Sequence, residues 1–209
     1  MTQIFHVHPD SPQRRLIGQA VSMLRAGALV VYPTDSSYAL GCTMTNKAAQ
    51  SRIRRIRGIS ESHYLTLVCR DLSEIALYAK VDNSAFRLLR AHTPGPTTFI
   101  LKATHDVPKR LQDGKRRSIG LRVPDHPVAK ALLEALGEPL LSTTLRLAGD
   151  EFALSEPDDF AARIAKQVDL VIEAGACGIH ATSVVDLSDG MPVVVRRGLG
   201  DISAFESAG

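Results

Sequence analysis

The chain of 209 residues contains no tryptophan, and aromatic residues make up only 5% of it. Modules that read single-stranded RNA by stacking bases expose several aromatics, so that mode of recognition is disfavoured. Cysteine is scarce too: Cys42, Cys69 and Cys177 are far apart and form no CxxC pair. A sequence-local zinc knuckle and a dithiol redox motif are therefore both missing, and the three thiols read as buried small apolar residues of a reducing compartment. No apolar run approaches the ~20 residues that span a bilayer. The opening MTQIFHVHPDSPQRR has neither the charged start nor the apolar core of a secretory signal, so the expected location is the cytoplasm. There is no GxxxxGK[ST] phosphate loop and no GxSxG elbow. His6 and His8 would share a face if extended, but nothing nearby marks a third ligand, and no metal site is expected.

Hydrophobic residues at 44% and charged residues at 22% give an ordinary globular balance. The length suits a single domain over 1–209, because single cores run to ~250 residues before splitting. The net charge is only +3, yet the charge is segregated. Arg52, Arg54, Arg55 and Arg57 lie in one stretch, Lys109, Arg110, Lys115, Arg116 and Arg117 in another, and Arg196 and Arg197 in a third, while acids gather around Asp150 to Asp159. Such segregation favours a phosphate or polyanion ligand; solvated faces are the alternative.

Periodicity predicts helices at Arg14–Ala26, Lys47–Arg57, Ser84–Ala91, Pro127–Leu136 and Pro157–Ala165. Strands are expected at Ala28–Tyr32, Leu65–Cys69, Thr97–Lys102, Ser118–Val123, Leu140–Leu145, Val168–Ile172, Ser183–Leu187 and Val193–Arg196. Strands spread along the whole chain and separated by helices imply an α/β fold: one twisted mixed sheet with flanking helices. Residues 206–209 are expected to fray.

Chemistry concentrates where strands end. YPTDSSYALG, Tyr32 to Gly41, leaves a buried strand with four short oxygen-bearing side chains, which suits a polar ligand or an ordinary capped strand-to-helix turn. TPGPTTFIL, from Thr93, reads as a rigid wall. In RRSIGLRVPDHP, Ser118 and Arg122 share a strand face, and an inward arginine needs an anion, from a ligand or from an internal ion pair. PLLSTTLRLAGDE again ends a strand in hydroxyls, and ATSVVDL with VVVRRGLGD brings Thr182 and Ser183 together with Arg196. Hydroxyls position phosphate and carboxylate oxygens and arginine binds them bidentately, so a basic, hydroxyl-lined concave cleft is expected.

These segments, in this order, resemble the YrdC/YciO family, most closely its YciO branch. The matching stretches are PTDSSYALG, RIRGISESHYLTLVCRD, TPGPTTFIL, IGLRVPDHP, GEPLLSTTL, TSVVDL and VVVRRGLGD. The resemblance implies a threonylcarbamoyl-AMP synthase-like nucleotidyltransferase, using ATP, threonine and bicarbonate for the modification of a tRNA adenosine, with Mg²⁺ carried on the phosphates. It implies that Thr34, Arg122, Thr144 and Thr182 contact the threonine side, and that Arg57, His63, Ser118, Arg146 and Arg196 contact ATP, with Arg57, Arg122 and Arg196 stabilising charge. Arg57 matches the lysine of the family's Lys-x-Arg motif, whose arginine is Ile59 here. Thr144 matches the serine of Ser-x-Asn, whose asparagine is Arg146, and the proline after Arg196 is replaced by Arg197. A binding module for tRNA or double-stranded RNA is the alternative, with Arg52, Arg54, Arg55, Lys115, Arg116 and Arg117 on its surface.

Overall fold

The computed structural model describes residues 1–60 and 63–206. In chain order the elements are β1 (Gln3–His6), α1 (Arg14–Arg25), β2 (Val30–Tyr32), β3 (Ala39–Thr43), α2 (Lys47–Arg57), β4 (Thr66–Val68), α3 (Leu72–Tyr78), α4 (Asn83–His92), β5 (Thr97–Lys102), a short 3₁₀ turn (Lys109–Leu111), β6 (Ser118–Arg122), α5 (Pro127–Leu136), β7 (Leu140–Thr144), α6 (Pro157–Ile164), β8 (Leu170–Glu173), β9 (Ser183–Asp186), β10 (Val193–Arg196) and α7 (Ser203–Glu206). The strands form one mixed sheet in the order β1-β8-β2-β3-β7-β4-β6-β5-β9-β10. β8 runs parallel to β1 and β2, β4 parallel to β6 and β5 parallel to β9, and the other neighbours are antiparallel.

The α/β architecture and most elements agree with the sequence reading. β1 and α7 were not expected, and three further departures have local causes. Tyr32 to Gly41 is a hairpin, with Tyr32 paired to Ala39, and not a strand-to-helix turn. β3 is buried on both faces, so it shows no apolar–polar alternation to read. The seven-residue α3 is too short for a clear helical period, but Asp71 caps it by accepting from the Glu74 amide at 2.8 Å. Of the fraying tail expected over 206–209, Glu206 closes α7, and 207–209 lie outside the described residues.

Side-chain alternation along the strands builds two cores. Val31, Leu40, Leu67, Phe99, Leu121, Leu141, Val171 and Val185 point to one face, where α2, α3, α4 and α6 supply Ile53, Ile75, Leu89 and Phe160. Val30, Tyr32, Leu140, Leu170 and Ile172 point to the other face, against Ile17, Val21 and Leu24 of α1 and Leu132, Leu133 and Leu136 of α5. These two helices pack on only part of that second face. On β4, β6, β5 and β9, and at the residue before β9, those with the same orientation are Thr66, Ser118, Gly120, Arg122, Thr98, Ile100, Thr182, Val184 and Asp186, and they line a cavity instead of a helix. The cleft is the stretch of sheet face that α1 and α5 leave uncovered.

Candidate functional site

Register fixes the floor of the cleft. Thr66 pairs with both Ser142 and Gly120, giving a central row of two hydroxyls and a glycine. Val68 pairs with Arg122 two residues one way along the strands, and Ser118 and Thr144 lie two residues the other way. Four residues of strand separate Arg122 from Ser118 by roughly 13 Å. Gly120 keeps the floor open: a Cβ there would meet Thr66 Oγ1 at 3.3 Å and Thr98 Cγ2 at 3.4 Å. Thr98 and Thr182 hydroxyls are 3.1 Å apart. Ser142 donates to the Leu40 carbonyl at 2.9 Å, so in its 2.8 Å bond with Tyr32 it accepts. Burial pushes the Tyr32 phenol up to about 12, leaving it a neutral donor.

The hairpin loop after β2 is braced from within. Thr34 Oγ1 donates to the Ser37 carbonyl at 2.7 Å, accepts from the Ser36 and Ser37 amides at 3.2 and 3.3 Å and lies 3.1 Å from Ser36 Oγ. Its proton and both lone pairs are engaged inside the loop, so Thr34 fixes the loop's shape at the cleft. Asp35 in this loop pairs with Arg122, which also donates to Ser36 Oγ at 3.1 Å and to the Gly95 carbonyl at 3.3 Å. Of the two anion sources open to an inward Arg122, the internal carboxylate is therefore present. The Gly95 carbonyl belongs to the segment expected as a rigid wall, which enters through a cis Thr93–Pro94 bond. Burial lowers the Arg122 pKa, with Asp35 opposing that shift. Three of the five guanidinium N–H groups are engaged, and two remain for a ligand.

A different set of arginines stands over the cleft. Asn46 caps the start of α2. Gly58 ends the helix in the left-handed region, at φ 63°, where a Cβ would strike Ala148 at 2.7 Å. This close approach lets the Ala148 amide donate to the Ile56 carbonyl at 3.1 Å and Arg57 to the Arg146 carbonyl at 3.1 Å. Arg196 donates to the Thr182 carbonyl at 2.9 Å and to its hydroxyl at 3.0 Å. Among the described residues no carboxylate forms an ion pair with Arg57, Arg146 or Arg196, and Arg57 Nε is buried without a hydrogen-bond partner. Burial, then the charges of Arg146 and Arg196, bring the Arg57 pKa down to about 10. Burial and the charges of Arg57, Arg54, Arg196 and Arg146 lower that of His63.

The cavity measures about 310 Å³ and is lined by Thr34, Arg57, His63, Arg116, Ser118, Arg122, Thr144, Thr182 and Arg196, so the residues expected to contact ligand converge, with Arg146 just outside the lining. Ile59 packs against the larger core instead. Three of the six expected RNA-facing cations have partners within the chain. Arg52 binds Asp169 at 2.7 Å and the Gln167 carbonyl at 2.9 Å, Arg54 donates to the Ser60 and His63 carbonyls at 2.7 and 2.8 Å, and Arg116 pairs with Asp186 at 2.8 Å. Arg55, Lys115 and Arg117 are exposed. Sequence reading missed Asp186 and Asp113 on the cavity wall. Asp186 shares a strand face with Val184, two residues away, which carried the signal for the first; Asp113, which accepts the Lys115 and Arg116 amides at 2.8 Å, gave none. Among the described residues no group of three or more His, Cys, Asp or Glu is placed to hold a metal. His6 pairs with Glu173 at 2.9 Å, and His8 accepts the Asp10 and Ser11 amides at 3.2 and 3.1 Å. Cys42 and Cys69 are buried and Cys177 partly so. Among the described residues no helix is long and apolar enough to cross a membrane.

Comparison with known proteins agrees with this geometry. The Sua5/YciO/YrdC family model, described as telomere recombination, matches residues 22–198. The uncharacterized protein YciO of Escherichia coli K12 is 56% identical over 98% of this chain and all of its own, and its crystal structure superimposes with a TM-score of 0.94. A threonylcarbamoyl-AMP synthase of Vibrio cholerae is 29% identical over 80% of this chain and 89% of its own. A structure of P. abyssi Sua5 covers 99% of this chain and 63% of its own at 25% identity, with a TM-score of 0.90. The chain belongs to the Sua5/YciO/YrdC family.

Proposed function

We propose that the chain is a nucleotidyltransferase of the threonylcarbamoyl-AMP synthase type, or a diverged relative forming a similar adenylate. One observation carries this reading: a single cavity joins a buried arginine with two spare donors, Arg122, to Arg57 and Arg196, which pair with no carboxylate among the described residues. That arrangement suits a ligand with a carboxylate on one part and phosphates on another. The synthase relatives supply the identity of the two parts, threonine and ATP.

In this reading the threonine amine takes up carbon dioxide as a carbamate. A carbamate oxygen attacks the α-phosphorus, the bond to the β-phosphate oxygen breaks, and pyrophosphate leaves; the adenylate serves tRNA modification. Arg122 holds the amino-acid carboxylate while Asp35 fixes its guanidinium. The Thr98, Ser118, Thr144 and Thr182 hydroxyls orient the reactants, and Arg57 and Arg196 meet the charge that develops on the phosphates. Magnesium enters with the nucleotide as part of the substrate.

An RNA-binding reading has less behind it, since three of its six cations are engaged within the chain. The deciding experiment measures pyrophosphate release from MgATP with threonine and bicarbonate supplied together and singly. Release that needs both supports the synthase; ATP binding with no release under any combination overturns it.

A further inference from the structure

Thr66 stands at the centre of the cleft floor, on β4, with Gly120 of β6 on one side and Ser142 of β7 on the other. The hydroxyls around it are engaged within the chain. Ser142 donates to the Leu40 carbonyl and accepts from Tyr32. Thr98 and Thr182 hydroxyls lie 3.1 Å apart, and Arg196 donates to that of Thr182 at 3.0 Å. Thr66 lines the cavity, and its hydroxyl has no hydrogen-bond partner among the described residues. It keeps a donor and two lone pairs for a ligand. Gly120 adds the shape. A Cβ there would sit 3.3 Å from Thr66 Oγ1 and 3.4 Å from Thr98 Cγ2, so the Thr66 hydroxyl leans over bare backbone that any other residue would cover. Such a patch admits a small flat group lying against the sheet with an oxygen turned to Thr66.

In the synthase reading the reactants carry three anionic parts. Arg122 meets the carboxylate, and Arg57 and Arg196 meet the phosphates. The third part is the carbamate, formed when the threonine nitrogen bonds to the carbon of carbon dioxide and releases a proton to water. It is planar and has two oxygens, one of which must stay free to attack the α-phosphorus. An anionic oxygen taken into a buried cleft needs a donor, and the arginines are matched to the other two parts. Resting on that reading, we propose that Thr66 donates to the non-attacking carbamate oxygen and, with Gly120 beneath, holds the carbamate flat against the floor. Thr66 then serves the carbon that comes from bicarbonate, and neither threonine nor ATP alone engages it.

The test measures pyrophosphate release by the full chain as bicarbonate is varied at saturating threonine and MgATP, for wild type, T66V, T66S and G120A. Calorimetry of each with threonine alone and MgATP alone accompanies it. Valine keeps the branched shape that suits a strand and removes only the hydroxyl. A hydrogen bond to a charged group is worth roughly ten- to a hundredfold, so T66V is expected to lower kcat/KM for bicarbonate by about tenfold or more. Threonine and MgATP binding should not change, and T66S should recover most of the loss. G120A, whose methyl occupies the patch, should lose bicarbonate-dependent turnover in the same way. Wild-type turnover in T66V overturns the role of Thr66 and leaves the synthase standing. A T66V chain that binds threonine or MgATP alone as weakly as it turns over also overturns it, because the hydroxyl then reads a reactant and not the carbamate. A wild-type chain that releases no pyrophosphate overturns the synthase reading and this one together. If T66V does not fold, G120A decides: an unchanged dependence on bicarbonate overturns the proposal.

Discussion

Arg122 and Arg57 line the same cavity, yet they sit in opposite electrostatic settings. Arg122 has a side chain 8% exposed and faces Asp35, at 12%, so the chain supplies its counter-ion. Arg57 is less deeply buried, has an orphan Nε, and faces two further arginines. Buried charge is tolerated when it is paired. An arginine with its own carboxylate is a fixture that holds the loop after β2 against β6. An arginine among arginines, with no carboxylate partner among the described residues, suits an anion from outside. The first kind gives the site its shape and the second gives it its appetite.

That contrast is broken most severely at the buried pair. Arg122→Met leaves Asp35 buried and unpaired, and denaturant unfolding should show a loss of about 3–5 kcal/mol. Adding Asp35→Asn should recover part of it, because the stranded charge is gone. R146N should move stability by no more than about 0.5 kcal/mol, as removing one of several repelling charges exposes no new orphan. Equal losses at Arg122 and Arg146 would dissolve the distinction.

On activity the order reverses. Arg57→Ala should lower threonine-dependent pyrophosphate release by ~100- to 1,000-fold, the usual effect of deleting one preplaced donor, while the fold remains intact by circular dichroism. A rate within a few-fold of wild type would show that Arg57 is not aimed at developing charge. Binding itself should be visible as stabilisation. MgATP at 100 times its dissociation constant adds ~2.7 kcal/mol, and a melting temperature unmoved by millimolar MgATP would remove the nucleotide from the cleft.

Much of this was legible beforehand. Period-two alternation placed Ser118 and Arg122 on one face, and the strand-end hydroxyls do converge. What the sequence could not reveal was which charges meet. Asp35 and Arg122 are 87 positions apart, and Arg52 and Asp169 are 117 apart, so an apparent run of basic residues on α2 concealed that one was held by an acid from beside β8. Ile59 shows the same limit. Aligned to a motif it reads as a lost phosphate donor, whereas the chain after Gly58 turns it onto the core. An Ile59→Arg substitution must therefore pull its charge away from apolar neighbours before it can reach phosphate.

The smallest effect is the most local. His63 sits at the edge of the arginine cluster, and its pKa is lowered first by burial and then by the charges of Arg57, Arg54, Arg196 and Arg146. A depressed folded-state value means that the unfolded chain takes up the proton first as pH falls. This group's contribution to stability is therefore complete above about pH 6.5, the unperturbed value, and is lost as pH drops from there toward the folded pKa. His126, lowered mainly by burial at the start of α5, acts in the same direction, so a thermal series cannot separate the two. A bound polyanion can. Phosphates among the arginines cancel the Coulombic part of the His63 shift and leave the burial part, so saturating ATP should move its pKa upward. His126, which answers mainly to burial and to Asp35, Asp10 and Asp125, should stay where it is. Titrating the two imidazole resonances by NMR, with and without ATP, reads both at once. A rise at His63 alone places the phosphates at the arginine cluster. A shift at His126 with His63 unmoved would place the anion by Arg122 and invert the comparison between the two kinds of arginine.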